Sequence, residues 1–259
     1  MPQVRLNILS HSRRDSLDVE GLSHRLKTKL QLEIRAQPDD TTCGPTCLHA
    51  VYHYFNDPLP LSQVIDEVPS LPGGGTIAGT LGCHALRRGY RATIFTYNVN
   101  VFDPTWFTTP GIDLKERLLR QAEAKSNPRL ARDTQTYVDY LDLGGIFRFR
   151  DLTPSLLRRY LNRGIPILTG LSSTFLYQAM REYGSDMADD DLRGHPAGHF
   201  VVLCGYDKEK RLIDIADPLE SNPYSADRHY ALGIERVIGA ILLGIVTHDA
   251  NLLILEPRP

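Results

Sequence analysis

The chain has 259 residues, of which 42% are hydrophobic and 23% charged, and its formal net charge is −2 at pH 7. That length can bury a core without disulfide cross-links, and the two proportions are ordinary for a globular protein. Because no basic excess is present, we expect neither nucleic acid nor an anionic membrane as a partner.

Hydrophobic periodicity and turn residues predict a mixture of helices and strands along the chain. Helices are expected at 18–30, from Gly44 to Phe55, within 71–90, and at 113–126, 129–142, 153–164 and 173–184, with one more before the last strand. Strands are expected at 4–9, 91–98, 144–152, 165–171, 199–206, 211–217 and 251–255. The glycine-rich sequence PGGGT at 72–76 is interpreted as a turn at a helix entry, with a cleft wall as the alternative.

The order of these elements indicates the fold class. Helices are concentrated early, and the clearest hairpin, 199–206 with 211–217, lies late. This distribution predicts an α+β fold with an antiparallel sheet rather than a doubly wound parallel fold. The sequence contains no repeat and no long linker, so we expect a single domain over 1–259, in which 1–36 extends a core at 37–259.

Cysteine usage and apolar runs predict the compartment. Four cysteines, Cys43, Cys47, Cys83 and Cys204, are too few for a disulfide framework in so long a chain. The N-terminus lacks an apolar segment after its basic residues, and the longest apolar run, 237–246, is about half the ~20 residues that span a membrane. We therefore expect a cytoplasmic protein with reduced thiols and no membrane partner.

Cys43 is the candidate nucleophile. At the N-terminus of a helix it faces unpaired N–H groups and the positive end of the helix dipole, which favour the nucleophilic thiolate. Cys43 and Cys47, four residues apart, could instead share a metal, but a structural zinc site usually needs a second closely spaced pair. We expect no metal and no cofactor, and we expect Cys47, Cys83 and Cys204 in the core.

The late hairpin selects a base for Cys43 from nine histidines. His199 opens the first strand and Asp217 closes the second, and a turn at 207–210 would set them opposite each other within about one residue of register. A carboxylate beside an imidazole fixes its tautomer and favours the imidazolium. His195 is the nearest alternative base, but it lies in a loop and is expected to be less well fixed.

Gln37 lies six residues before Cys43. Its amide could donate a hydrogen bond to an oxyanion beside the Cys43 backbone N–H. Asp39 and Asp40 would oppose a thiolate if they faced it, so we expect both carboxylates to point towards solvent or the helix N–H groups. The acidic loop at 186–191 is interpreted as solvated, with a mobile lid as the alternative.

The motifs together resemble a known family. Gln37, the sequence TTCGPTCLHAVYHYF around Cys43, GHFVVLCGYD around His199, and Asp217-Pro218 resemble papain-like cysteine peptidases in their order. The nearest group is the bacterial family related to peptidases that process bacteriocin precursors with double-glycine leaders. The resemblance implies a papain-like fold, in which a helical part with the nucleophile Cys43 packs on an antiparallel sheet. His199 would be general base and acid, Asp217 would orient it, and Gln37 would lie in the oxyanion hole.

The resemblance predicts a cysteine peptidase that hydrolyses a peptide or amide bond. The best-known members are fused to transporters, but this chain has neither their membrane helices nor a phosphate-binding loop, so specificity for a double-glycine leader is not carried over. Two alternatives stay open: an acyl- or peptidyl-transferase or amidase that uses the same thioester, and a binding module without turnover. The expected partner is a peptide or amide substrate, with a peptide made or modified by a neighbouring enzyme as one candidate.

Overall fold

The computed structural model of the chain describes residues 27–184, 186–247 and 249–258. The strand predicted at 4–9 and most of the helix predicted at 18–30 lie outside these ranges. The end of that helix prediction is wrong, because Lys27–Lys29 form a strand, β1. These residues pair antiparallel with the strand Gly198–Asp207, and the backbone N–H of Leu30 continues the pairing with the Cys204 carbonyl at 2.7 Å.

Helices occupy most of the positions that the periodicity predicted. They are α1 Cys43–Tyr54, α2 Leu61–Glu67, α3 Ala78–Arg87, α4 Leu114–Lys125, α5 Pro128–Asp142, α6 Pro154–Leu161, α7 Ser173–Tyr177 and α8 Ile234–Leu243, with 3-10 turns at Pro104–Phe107 and Gly244–Thr247. The remaining strands are β2 Arg91–Thr96, β3 Ile146–Arg148, β4 Ile167–Ser172, β5 Glu182–Tyr183, β6 Ala188–Asp189, β7 Gly198–Asp207, β8 Leu212–Ala216, β9 His229–Gly233 and β10 Asn251–Glu256. In the described ranges, no helix has the length and apolarity that crossing a bilayer requires.

Eight of the strands in the described part of the chain form one sheet. Its order is β3-β2-β10-β4-β7-β8-β9, and β1 pairs with β7 beside this path. Neighbouring strands run antiparallel, except that β2 and β3 are parallel. The predicted α+β fold with a largely antiparallel sheet is therefore confirmed.

Helices cover both faces of this sheet. The first hydrophobic cluster contains Leu48 from α1, Leu81 from α3 and Tyr137 from α5. The second contains Leu157 from α6 and Val237 from α8. Strand β7 contributes to both, because its successive side chains point to opposite faces. The helical layer that contains Cys43 thus packs directly on the antiparallel sheet, as the papain-like resemblance implied.

The first turn of α1 approaches β7 closely. A Cβ atom on Gly44 would lie 2.2 Å from Thr76 Oγ1 and 3.3 Å from the Phe200 ring, so only glycine fits without displacement of these neighbours. One turn further on, the thiol of Cys47 donates to the Phe200 carbonyl at 3.2 Å. Since Phe200 follows His199 in β7, these contacts hold the start of α1 against the start of that strand.

The region between β4 and β7 differs from its prediction. Residues 173–184 were expected to form one helix, but α7 ends at Tyr177, because Gln178 adopts the left-handed conformation with φ 55°. After this turn, Glu182–Tyr183 pairs with Ala188–Asp189, so part of the predicted acidic loop is a short hairpin. The helix α2 and the strand β9 are further elements that the sequence pattern did not predict.

Candidate active site

His199 and Asp217 meet at one end of the β7–β8 hairpin. His199 Nε2 lies 2.8 Å from Asp217 Oδ1. Val202 pairs with Ala216, and the same register continued by one residue places Asp217 opposite Val201. The sequence predicts that Asp217 lies opposite His199, so the predicted pairing is wrong by two residues. The loop occupies 208–211 rather than 207–210, and a bulge between Leu203 and Gly205 absorbs one residue. Residues two apart on a strand share a face, so the two side chains still meet.

The Asp217 carboxylate accepts four hydrogen bonds although its side chain is fully buried. Oδ1 accepts from His199 and from the backbone N–H of Leu219 at 2.9 Å. Oδ2 accepts from the hydroxyls of Tyr177 and Tyr230, each at 2.6 Å. Burial acts to raise the pKa of Asp217, but the charge of His199 and these donors outweigh it and hold the pKa below its usual value. The group is therefore an ionised carboxylate in the interior.

The two tyrosines were not predicted from the sequence. Tyr177 is the last residue of α7, which was expected to run on to Gly184. Tyr230 lies in β9, where it pairs with Ile215 of β8. Tyr230 could have been found if a third strand had been predicted after the hairpin. A residue of that strand that pairs with Ile215 lies close to Asp217, which is two residues further along the chain.

Opposing effects act on the pKa of the His199 ring, which is 8% exposed. Burial acts to lower the pKa, but the charge and hydrogen bond of Asp217 and the interaction with the Cys43 side chain raise it to about 10. Because Asp217 engages Nε2, the ring nitrogen left for the sulfur is Nδ1. The structure thus brings Cys43, His199 and Asp217 together, with the imidazole in the middle.

Cys43 is the first residue of α1 and is 6% exposed. The hydroxyl of Thr42 does not cap the helix and instead donates to the Asp39 carbonyl at 3.1 Å. Pro45 has no N–H, so the N–H groups nearest the sulfur are those of Cys43 and Gly44. This is the local arrangement that favours negative charge at a helix N-terminus.

Gln37 lies near the same histidine, in a different part of the cleft. Its backbone N–H donates to the Pro218 carbonyl at 2.9 Å, which ties it to the residue after Asp217. One N–H of its side-chain amide donates to the Asp39 carbonyl at 2.9 Å. Its Oε1 is buried without a hydrogen-bond partner among the described residues. The amide nitrogen carries two hydrogens, so one N–H is left for another acceptor.

Two cavities adjoin His199. The first has a volume of about 580 Å³, and its wall includes Asp40, Cys43, Gly74, Thr76, Arg129, Leu171, His195, His199, Phe200 and Asp249. The second has a volume of about 500 Å³, and its wall includes Gln37, Asp40, Gly74, Tyr177, Glu182, His199 and Leu219. Cys43 therefore faces the first cavity and Gln37 the second, with His199 common to both.

The glycine-rich turn is part of the wall of this cleft. Gly73, Gly74 and Gly75 have φ values of 96°, 92° and 75°, which side chains rarely tolerate, and the last two line both cavities. A Cβ atom on Gly74 would lie 2.6 Å from Cγ2 of Thr41. The segment is therefore a turn before α3, as the preferred interpretation held, and it also forms a wall of the cleft, as the alternative held.

The two acidic residues before Cys43, Asp39 and Asp40, have different surroundings. The Asp39 carboxylate accepts from the backbone N–H and the hydroxyl of Thr41, both at 2.8 Å, and these bonds, the backbone one foremost, hold its pKa below the usual value. Asp39 therefore bonds within the loop rather than to the helix N–H groups. Asp40 is exposed at the rim of both cavities.

His195 is better fixed than the sequence suggested. Its backbone forms a two-way bridge with Glu182, with N–H to oxygen distances of 2.8 and 3.1 Å. Its side chain is exposed on the wall of the first cavity. The carboxylate of Asp217 bonds to His199 and not to His195, however, which distinguishes the two candidate bases.

The other three cysteines are buried free thiols, as predicted for core residues. Burial is the main cause that raises the pKa of Cys83 to about 11 and of Cys204 to about 12, and it raises the pKa of Cys47 as well. These thiols are therefore protonated at neutral pH. Within the described ranges, no cluster of three or more His, Cys, Asp or Glu side chains is arranged to hold a metal ion.

Comparison with known proteins gives one family match and several matches among solved structures. Among solved structures, the peptidase domain of Streptococcus ComA, a bi-functional ABC transporter involved in quorum sensing, is 14% identical, with 88% of this chain and 100% of that chain covered at a TM-score of 0.41. A putative C39-like peptidase from Bacillus anthracis is 15% identical, and the match covers 90% of this chain and 98% of that chain at a TM-score of 0.46. Xylellain, a cysteine protease from Xylella fastidiosa, is 15% identical, and the match covers 92% of this chain and 89% of that chain at a TM-score of 0.43. A search of curated proteins found no match.

The family match covers the part of the chain that contains His199 and Asp217. Residues 120–236 match the sequence model of the Peptidase_C39 like family, and this segment includes His199 and Asp217. Gln37 and Cys43 lie on its N-terminal side. The chain is therefore similar, over residues 120–236, to the Peptidase_C39 like family, which confirms the resemblance that its motifs predicted.

Proposed function

We propose that the protein is a cysteine peptidase that hydrolyses a peptide or amide bond through a thioester on Cys43. The observation that carries this proposal is the position of His199, a buried imidazole that interacts with a cysteine at a helix N-terminus and lies 2.8 Å from a buried carboxylate. This combination of nucleophile, base and orienting group is the general requirement for activating a cysteine.

The reaction begins with the Cys43 thiolate and the His199 imidazolium. The sulfur attacks the substrate carbonyl carbon, and His199 then donates its proton to the leaving amine, so that the C–N bond breaks and a thioester remains. His199, now neutral, removes a proton from a water molecule that attacks the thioester. The acyl group leaves as a carboxylic acid, and the thiolate–imidazolium pair is restored.

Asp217 and Gln37 have supporting roles in this scheme. Asp217 holds the imidazole in place and stabilises its charge, which its depressed pKa and four donors allow it to do in the interior. Gln37 and the Cys43 backbone N–H would receive the oxyanion. The role of Gln37 is supported by the unassigned N–H of its amide and by its place beside His199 in the second cavity.

The nucleophile is tested by alkylation of the native protein with iodoacetamide at neutral pH, followed by mass spectrometry. We expect Cys43 to react first, because it lines the first cavity with His199, whereas burial raises the pKa values of Cys47, Cys83 and Cys204. The His199→Ala variant should react more slowly at Cys43, and Cys83→Ala is the matched control. Equal slow labelling of all four cysteines would contradict the proposal.

The reaction is tested with a peptide library and the Cys43→Ala variant. Cleavage by the wild-type protein and none by the variant is the expected result. Adding an amine during trapping of the acyl-enzyme distinguishes hydrolysis from acyl transfer, since an acceptor amine would be found in the product only in the second case. If the wild-type protein and Cys43→Ala have the same effect on every substrate, the protein is not a cysteine peptidase.

A further inference from the structure

The first cavity contains a buried carboxylate, Asp249, that the proposed hydrolysis does not use. The volume of about 580 Å³ is in the range of pockets that enclose small ligands. Cys43 and His199 line the same cavity, so a substrate side chain that enters it lies next to the bond under attack.

Packed backbone holds Asp249 in place. The residue is 6% exposed, and its backbone N–H donates to the Gly244 carbonyl at 3.0 Å. Its carboxylate accepts from the N–H of Ala78, the first residue of α3, at 3.1 Å to Oδ2 and 3.4 Å to Oδ1, and from the side-chain amide of Asn251. A Cβ atom on Gly170 would lie 2.9 Å from the same carboxylate. The carboxylate is therefore a fixed part of the wall.

Acceptor capacity on this wall is left unfilled. A carboxylate has about four acceptor positions, whereas Ala78 shares one N–H between both oxygens of Asp249 and Asn251 adds a second donor. Thr76 lines the same cavity at 9% exposure, and its hydroxyl has no hydrogen-bond partner in the described part of the chain. Buried polar groups normally have partners, so both features indicate a ligand with hydrogen-bond donors.

The charge near the cavity is also unbalanced. Asp133, a second buried acid at 5% exposure, interacts electrostatically with Asp249, and its Oδ1 has no partner among the described residues. The Arg129 guanidinium lies 4.0 Å from Asp133 and is about half exposed. Burial is the main cause that raises the pKa of both acids, that of Asp249 to about 7. A cation in the cavity would favour the charged form of Asp249.

We propose that the first cavity is a subsite for a basic substrate side chain, a lysine or arginine beside the bond that is cleaved, and that Asp249 determines this specificity. Ammonium and guanidinium groups donate several hydrogen bonds and can fill the free acceptor positions of the Asp249 carboxylate. The inference rests on the proposed function, because the cavity flanks a reacting bond only if Cys43 attacks one.

The test measures binding to the Cys43→Ala variant, which cannot form the thioester. Fluorescence anisotropy is recorded with pairs of peptides that differ only by lysine or norleucine at one position, scanned along the peptide. At one position, lysine should bind tighter by roughly 10- to 100-fold, as expected for a charge-assisted hydrogen bond in a buried site. Adding Asp249→Asn should reduce this lysine-to-norleucine ratio towards 1.

A second variant gives a change of opposite sign. Arg129→Gln removes a cation from the cavity wall at a half-exposed position, so it should raise the lysine-to-norleucine ratio about threefold or more. This variant carries the test if Asp249→Asn does not fold. Equal binding of lysine and norleucine at every position would overturn the inference, as would a ratio that neither variant changes.

Hydrolysis by the wild-type protein separates this inference from the proposed function. If the wild-type protein cleaves peptides without regard to lysine or arginine, and Cys43→Ala binds without preference, the subsite is wrong and the peptidase stands. If Cys43→Ala binds lysine peptides selectively and the wild-type protein cleaves none of them, the peptidase is wrong, and what remains of the inference is that the first cavity binds a basic side chain, without a bond to cleave beside it.

Discussion

At the scale of single residues, His199 couples the stability of the fold to pH. Its pKa is raised from 6.5 to about 10, so protonated His199 stabilises the folded protein fully below pH 6.5, and this contribution is lost as the pH rises towards 10. The pKa of Asp217 is lowered from 3.8, so its contribution is present above that value and is lost on acidification below it. Both contributions coexist from about pH 4 to 6.5.

The first prediction compares wild type with His199→Gln in urea unfolding at pH 6, 8 and 10. The wild-type protein should have the larger free energy of unfolding at pH 6, and the difference should shrink as the pH approaches 10. Substitution of the exposed His53, which lies on α1, provides a control in which the difference from wild type stays small. A difference between His199→Gln and wild type that is constant with pH would contradict the assigned protonation of His199.

The second prediction concerns Tyr230. Tyr230→Phe leaves the buried Asp217 carboxylate without one of its donors, which should cost about 1–3 kcal/mol of the free energy of unfolding. We expect kcat/KM to fall roughly tenfold, because the carboxylate then holds His199 less firmly. Tyr183→Phe, at an exposed position of β5, is the control. If Tyr230 acts through Asp217, the same change in an Asp217→Asn background should have a much smaller effect on both quantities.

Some residues of the candidate site can be predicted from the sequence and others cannot, for a physical reason. Cys43, His199 and Asp217 are found because each lies at the end of a helix or strand with a clear pattern. Tyr230 and Asp249 are not, because their contacts depend on how distant segments pack. Asp249 bonds to Ala78 across 171 positions of the chain, and periodicity within a segment contains no information about such a contact.

At the scale of elements, the entry of α1 is set by its contact with Thr76 and β7. Gly44→Ala should therefore lower the free energy of unfolding by about 1–3 kcal/mol, because the new methyl group meets Thr76 Oγ1 at 2.2 Å. It should also slow alkylation of the adjacent Cys43, since the first turn must move. Chemical denaturation and labelling rates measure the two effects.

Two further variants check the cause of this third prediction. Gly233→Ala is the matched control, because a Cβ atom there has no atom within 4 Å. Thr76→Ala removes the clashing oxygen, so Gly44→Ala combined with it should recover part of the lost stability. The recovery should be incomplete, since Leu81 and Phe200 each lie 3.3 Å from the new methyl group. A loss as large for Gly233→Ala as for Gly44→Ala would rule out this explanation.

The hairpin that contains His199 illustrates what local patterns can and cannot predict about strand pairing. A continuous apolar run identifies β7 and an alternating pattern identifies β8, but the loop at 208–211 and the bulge after Leu203 shift the pairing away from the expected register. His199 and Asp217 still meet, because a shift of two residues preserves the face of the strand. A shift of one residue would have placed the two side chains on opposite faces of the sheet. The prediction that they meet therefore holds for any shift by an even number of residues that is small enough to keep them close.

At the scale of the whole molecule, the site lies where the two hydrophobic clusters meet. Phe200 belongs to the first cluster and Val201 to the second, and both follow His199 in β7. Cys43 reaches this point from the first cluster, whereas Tyr177 and Tyr230 pack against the second. The geometry around His199 therefore requires both sides of the sheet to be folded at once.

The last prediction follows from this dependence and tests whether 1–259 is one domain. Leu48 of α1 and Leu157 of α6 are fully buried on opposite faces of the sheet, and each leucine-to-alanine change should cost about 2–5 kcal/mol. For a chain of this size, that loss lowers Tm by roughly 4 to 10 °C. Calorimetry should show one transition in the wild-type protein and in both variants, and the preferential labelling of Cys43 should disappear in that same transition. If Leu157→Ala shifted one of two transitions and left Cys43 labelling with the other, the two faces would fold as separate units, and the arrangement around His199 would not depend on both.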